Sequence, residues 1–166
     1  EPMKIVELDK ADGTAGPDFI AVAWSPDGSQ IAYSGRSPHR GRTVTIMNAD
    51  GTARRVLDGH WESVSWSPDG QRVLLVGWPD EAGEGHFDLY TLRPDGTGLE
   101  RLTHDDLYER SASWSPDGTR IAFSRGAATS GATVQVQDIY LMDANGSHAS
   151  RLTDGKGINV APAWSP

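Results

Sequence analysis

One short phrase recurs along the chain. It reads AWSPDG at Ala23–Gly28, SWSPDG at Ser65–Gly70, SWSPDG again at Ser113–Gly118, and AWSP at Ala163–Pro166. Its tryptophans, Trp24, Trp66, Trp114 and Trp164, are separated by 42, 48 and 50 residues. A second turn phrase falls between them: NADG at Asn48–Gly51, RPDG at Arg93–Gly96 and DANG at Asp143–Gly146. Two turn signals interleaved at one period define a repeating unit. Stacked units let a chain bury apolar faces that no single unit could cover.

Each unit reads as four strands. In the third, SASW (Ser111–Trp114) is the first strand, and SPDG turns the chain into RIAFS (Arg120–Ser124). An irregular stretch to Gln137 follows, then DIYLM (Asp138–Met142), a second turn, and ASRLT (Ala149–Thr153). Asp-Gly and Asn-Gly supply the positive backbone angles of tight hairpins, and proline ends a strand. The β-branched and aromatic residues lie in the runs between, and no segment holds a helical period. RIAFS and RVLLV are apolar on both alternating faces, as strands covered from both sides should be. A four-stranded unit of this size is that of a propeller blade. The fold expected is all-β: a β-propeller of four-stranded antiparallel blades. Complete blades are expected over about 21–57, 62–103 and 110–153 of a single domain, 1–166, with part of a fourth.

The order Trp-Ser-Pro-Asp-Gly, then IAYS or IAFS, then DLYTL or DIYLM before a second Asp/Asn-Gly turn, then RLT, resembles the TolB-type, WD-like propeller repeat. The resemblance runs from residue 21 to residue 166. It departs from a true WD repeat, since no Trp-Asp pair closes the third strand. It departs from the sialidase Asp-box too, because the aromatic residue precedes the serine. The resemblance implies an extracytoplasmic protein, periplasmic or secreted, that works by binding a partner; a cytoplasmic location is the alternative.

The terminal segments Lys4–Leu8 and Val160–Pro166 read as single strands of an incomplete or shared blade. Closed propellers have at least four blades, and an open stack exposes flat apolar sheet faces. Closure is therefore expected from a second copy or from further chain, and light scattering separates the two. A monodisperse species of one chain mass counts against the copy.

Composition narrows the partners. The net charge is −8 and no dense basic cluster is present, which argues against nucleic acid as a ligand. No apolar run is long enough to span a membrane as a helix. There is no cysteine, so disulfides and thiolate metal sites are excluded.

A four-stranded meander alternates its turns between two rims. The SPDG and ADG-like turns share one, and there the sequence repeats. The other carries the loops Gly35–Arg42, Gly77–Phe87 and Arg125–Gln137, with the connections Asp58–Glu62, His104–Arg110 and Asp154–Asn159. There the sequence diverges, as binding surfaces do on a constant scaffold. Both tryptophans outside the motif, Trp61 and Trp78, fall there, with His39, His60, His86 and His104; His148 follows the opposite turn. The candidate binding residues are His60, Trp61, Trp78, His86, His104, Asp105, Tyr108, Glu109 and Arg110, whose amphipathic aromatics and mixed charges suit recognition.

No nucleophile elbow, dinucleotide loop, phosphate loop or zinc-protease motif occurs, so no catalytic residue is assigned. His104 with Asp105 and Asp106 could hold a metal only where a loop turns two of them to one side, since neighbours in a strand point to opposite faces, and no metal site is assigned. No loop has the glutamate that completes an EF-hand, although calcium held between blades stays open. The reading is a non-enzymatic scaffold for a protein or peptide. Its alternatives are the substrate-gating propeller of a prolyl-oligopeptidase-like hydrolase and a glycan-binding propeller.

Overall fold

The structure is a computed structural model that describes residues 19–37, 41–79, 86–129 and 133–165. Those residues form three four-stranded antiparallel sheets and no helix. The first contains β1 (Phe19–Trp24), β2 (Gln30–Ser37), β3 (Gly41–Asn48) and β4 (Arg55–Asp58). The second contains β5 (His60–Trp66), β6 (Val73–Trp78), β7 (Asp88–Leu92) and β8 (Glu100–Arg101). The third contains β9 (Tyr108–Trp114), β10 (Arg120–Thr129), β11 (Thr133–Asp143) and β12 (Ser150–Arg151). Every strand pairs with its neighbour in sequence, so each sheet is a simple meander. The sheets stack in order: β5 lies against β1, β2 and β3, and β9 lies against β5, β6 and β7.

The SPDG phrase closes its turn by the same bonds each time. The Ser25, Ser67 and Ser115 hydroxyls donate to Asp27, Asp69 and Asp117 at 2.7, 2.6 and 2.6 Å. They accept from the amides of Gln30, Arg72 and Arg120, each at 2.9 Å. The carboxylates also accept from the amides of Ser29, Gln71 and Thr119, each at 3.0 Å. Gly28, Gly70 and Gly118 take φ near +70°, the left-handed conformation that glycine adopts without strain. The Ser115 hydroxyl holds the Asp117 carboxyl down to about 2, with help from the Thr119 amide. Ser115→Ala removes the acceptor of the Arg120 amide. It should lower stability by about 1 kcal/mol and raise the Asp117 titration midpoint, which carboxyl NMR would follow. An unmoved midpoint would refute this account of the turn.

Core residues fill the spaces between sheets. One cluster joins the first and second sheets through Val44, Ile46, Trp61, Trp66, Leu75 and Tyr90. Another joins the second and third through Leu74, Leu89, Trp114, Ile121, Phe123 and Met142. Val73, Leu74, Leu75 and Val76 are all buried, as the apolar alternation in β6 requires. Trp66 donates its indole N–H to the carbonyl of Ala23, just before the preceding motif tryptophan, at 3.1 Å. Trp164 does the same to Ser113 at 3.3 Å. Trp114 breaks the series: its Nε1 is buried without a partner.

Two expectations need correction. Residues 125–129 and 133–137 are not irregular, because β10 and β11 stay paired through Arg125↔Asp138 and Gly126↔Gln137 to Thr129↔Thr133. The segment after Asn159 is not a strand as far as residue 165, although Ile158 bridges Gln137 in parallel. Proline at 162 removes a ladder donor there, and the Trp164 anchor repeats without the strand. Lys4–Leu8, His39 and most of the Gly77–Phe87 loop lie outside the described residues.

Candidate functional site

Strand register places the candidate site at the rim away from the SPDG turns. His60 pairs with Trp78, Gly77 with Asp88, and Tyr108 with Gly126, all at the far ends of their strands. The two turn phrases meet at the opposite rim, where the Ala49 and Ala144 amides donate to the Ser29 and Thr119 carbonyls at 2.8 and 2.9 Å.

At the loop rim the aromatic residues form one continuous group. The His60 ring stacks on Trp78 at 4.6 Å between centroids. The other contacts of Trp78 include an edge-on approach to Phe87 at 4.7 Å. Phe87 lies 6.1 Å from Tyr108, and His86 meets Tyr108 edge-on at 5.1 Å. The Arg110 guanidinium sits 5.4 Å above the Phe87 ring, within cation–π range. Glu62 ties the group to the first sheet. One carboxylate oxygen takes Arg42 at 2.6 Å, and the other lies 3.6 Å from Arg110. A single patch thus draws on all three sheets. His60, Trp78, His86, Tyr108 and Arg110 are brought together there.

Glu62, Phe87 and Arg42 belong to the patch but were not among the sequence candidates. The loop boundaries had already placed each on the divergent rim; only cross-sheet pairing separates them from ordinary loop residues.

The patch contains unsatisfied nitrogens. Trp78 Nε1, His86 Nδ1 and Arg110 Nε are shut off from solvent and have no hydrogen-bond partner.

The remaining candidates lie elsewhere. Trp61 and Glu109 are 0% exposed. Both sit five residues before a motif tryptophan, at the position of β5 and β9 that faces the preceding sheet. Trp61 donates to the Asp58 carbonyl at 3.3 Å and meets Tyr90 edge-on at 5.3 Å. It offers no face to a ligand. Glu109 takes Arg125 Nε on one oxygen at 2.7 Å, and its other oxygen is buried and unpaired. Arg125 also holds Asp105 at 3.0 Å and lies over the Phe123 and Tyr140 rings at 5.1 and 5.0 Å. Asp105, exposed like His104 beside it, is tied to Arg125 rather than free for a partner.

Burial pushes the Glu109 carboxyl up to about 7, and the Arg125 charge only partly offsets it. The folded state therefore holds a proton there that the unfolded chain releases near its ordinary value. Stability from this group is present at low pH and is lost as pH rises from about 4.5 to about 7. Glu109→Gln should abolish that slope, a change of roughly 3 kcal/mol across the window. Urea denaturation at pH 5 and pH 8 would measure it, and a parallel slope in the variant would refute the assignment.

A carboxylate on the third strand of the second and third sheets, Asp88 in β7 and Asp138 in β11, is a further structural device. Asp88 holds Arg101 at 2.7 Å and accepts from Thr103 at 3.2 Å. Asp138 accepts from Thr153 at 2.6 Å and from the Gly155 amide at 2.9 Å. Burial raises the Asp88 carboxyl. The Thr153 hydroxyl holds the Asp138 carboxyl down. The repeated Arg-Leu-Thr was the available signal. Among the described residues, no group of three or more His, Asp or Glu side chains could hold a metal ion.

No protein-family profile matches the chain. It is similar to the Tol-Pal system protein TolB of Geobacter metallireducens, at 40% identity over 83 residues, covering 50% of this chain and 18% of that protein. It superposes on the structure of a protein described as TolB from Agrobacterium tumefaciens with TM-score 0.73 at 23% identity, covering 92% of this chain and 55% of that one. It also superposes on the β-propeller domain of the Trilobed protease from Pyrococcus furiosus with TM-score 0.60 at 14% identity, covering 82% and 43%. The chain thus spans under a fifth of the curated relative and a little over half of the first solved one.

Proposed function

We propose that this chain, a β-propeller chain of the TolB type by repeat and by fold, is a non-enzymatic scaffold that binds a protein or peptide through its loop rim. The observation that supports this reading is the aromatic and arginine patch spanning the three sheets. Rigid aromatics on a strand framework supply contact area at little entropic cost, and guanidinium groups are frequent anchors of recognition. The SPDG rim is poorer in such chemistry, because its carboxylates are occupied by their own turns. The relative named as a Tol-Pal system protein fits a role among partner proteins. The same resemblance favours a periplasmic or extracellular location.

Photo-crosslinking tests the reading. A benzophenone side chain at Pro79, beside the patch, should capture a partner in the native host. One at Pro68, on the SPDG rim, should not. Arg110→Ala should weaken capture from Pro79 while leaving the melting temperature within a few degrees. Equal capture from both rims would overturn the assignment.

The end faces support closure by further blades. Val22 and Trp24 are 65% and 40% exposed on the first sheet, and Ile158 and Val160 are 63% and 50% exposed at the other end. Trp24 occupies the position from which Trp66 and Trp164 donate across a seam. A carbonyl from a second copy or from further chain would complete the series. Light scattering distinguishes them, since a copy doubles the mass.

A further inference from the structure

We infer that Arg125 is a proton-controlled latch on the β8–β9 connection: it holds Asp105 firmly while Glu109 carries a proton and loosens it when Glu109 ionises. The latch acts within the rim itself and does not depend on what the rim binds.

One guanidinium stands between two carboxyl groups. Register places Arg125 of β10 opposite Glu109 of β9. Its Nε donates to Glu109 Oε1 at 2.7 Å, and its Nη1 lies 3.0 Å from Asp105 Oδ2. The Arg125 side chain is only 10% exposed and is held over the Phe123 and Tyr140 rings. Glu109 is fully buried, and its Oε2 has no partner. Asp105 stands half-exposed on the connection, where its Oδ1 accepts from the Leu107 amide at 3.0 Å. Asp105 therefore both shapes 104–107 and ties that stretch to the sheet.

The neighbouring charges are committed elsewhere. β7 brings Tyr90 and Asp88, β8 brings Arg101, and Asp88 is paired with Arg101 at 2.7 Å. β5 brings His60, stacked on Trp78, and Glu62, placed between Arg42 and Arg110. β6 has no ionisable side chain. Asp138 of β11, the register neighbour of Arg125, is taken by Thr153 and Arg151. A protonated Glu109 leaves the whole Arg125 charge to Asp105. An ionised Glu109 claims that charge in a drier place and repels Asp105 as well. Burial pushes the Glu109 carboxyl up to about 7, so the exchange falls in a mild pH range. The connection leads directly into Tyr108, so its looseness is felt beside the aromatic patch.

The chain has no cysteine, so a nitroxide on Asp106→Cys, an exposed position, labels the connection alone. Electron paramagnetic resonance of the labelled full chain reads its mobility. The ratio of mobile to immobile label should rise about fivefold from pH 5 to pH 8, the worth of one partly exposed ion pair. Its midpoint should coincide with that of the Glu109 carboxyl followed by NMR. Glu109→Gln should keep the label immobile at both pH values, and Asp105→Asn should leave it mobile at both. His104→Gln should keep the rise, because the histidine beside Asp105 is not the sensor. An unchanging spectrum, a midpoint away from that of Glu109, a rise that survives Glu109→Gln, or a rise lost in His104→Gln overturns the inference. Should Glu109→Gln fail to fold, the midpoint and Asp105→Asn decide it.

Discussion

Trp61→Ala should cost about 3–5 kcal/mol of stability, among the largest effects of any single substitution in this chain. The ring is 0% exposed and fills the space between the first two sheets with Val44, Val64, Trp66 and Tyr90. Truncation leaves a cavity that rigid strands on both sides cannot close. It also leaves the Asp58 carbonyl without the indole N–H it accepts. With stability in the usual 5–15 kcal/mol range, a loss of that size lowers the melting temperature by roughly 10 °C or more. Trp61→Phe keeps an aromatic ring toward Tyr90 but loses the indole donor and leaves a smaller cavity, so it should cost less, roughly 1–3 kcal/mol. Chemical denaturation of the two variants checks the order. If Trp61→Ala melts within a degree of the parent, the ring is not an inter-sheet wedge and the sheet stacking is misassigned. The outcome bears on function as well. A ligand lost in Trp61→Ala would be lost through the fold, whereas one lost in Arg110→Ala would be lost through contact.

The contrast between Trp61 and Trp78 marks where the sequence stops being informative. Both lie outside the repeated phrase, on the divergent rim, and nothing in their neighbours separates them. Register does separate them. Trp61 stands five residues before Trp66, in line with the inward positions of β5, while Trp78 ends β6 where the strand leaves the core. Counting from the motif would have recovered the inward position, and Glu109 shares it in β9. No apolar pattern announces a carboxylate there. Its burial depends on Arg125, sixteen residues away, reaching across the β9–β10 pairing. The fold itself was legible because the turns repeat: each SPDG carries its own hydroxyl, carboxylate and glycine. The patch was only half legible. Its aromatic members are conspicuous letters, but Glu62 joins them through Arg42 of another sheet, a pairing that no local window contains.

Gly77→Ala should be at least as damaging as the loss of Trp61, about 3 kcal/mol or more, and for a different reason. Gly77 ends the core-covered part of β6 opposite Trp61, with φ at 148°. A Cβ there would stand 2.1 Å from the His60 carbonyl oxygen and 3.0 Å from Trp61 Cα. The obstruction is backbone, so no side-chain rotation relieves it. Relief requires the start of β5 to move away, and that segment carries His60, Trp61 and Glu62. Stability and the loop-rim patch should therefore fail together. Gly28→Ala is the control, because Gly28 also has positive φ, at 70°, but a Cβ would meet nothing within 4 Å. It should cost about 1–2 kcal/mol from the left-handed backbone alone. Urea titrations of the two variants separate steric conflict from conformational strain. Equal costs would mean that β5 has room to shift. The close approach of β6 to the first turn of β5 would then not be what holds His60 and Glu62 in register with Trp78 and Arg42.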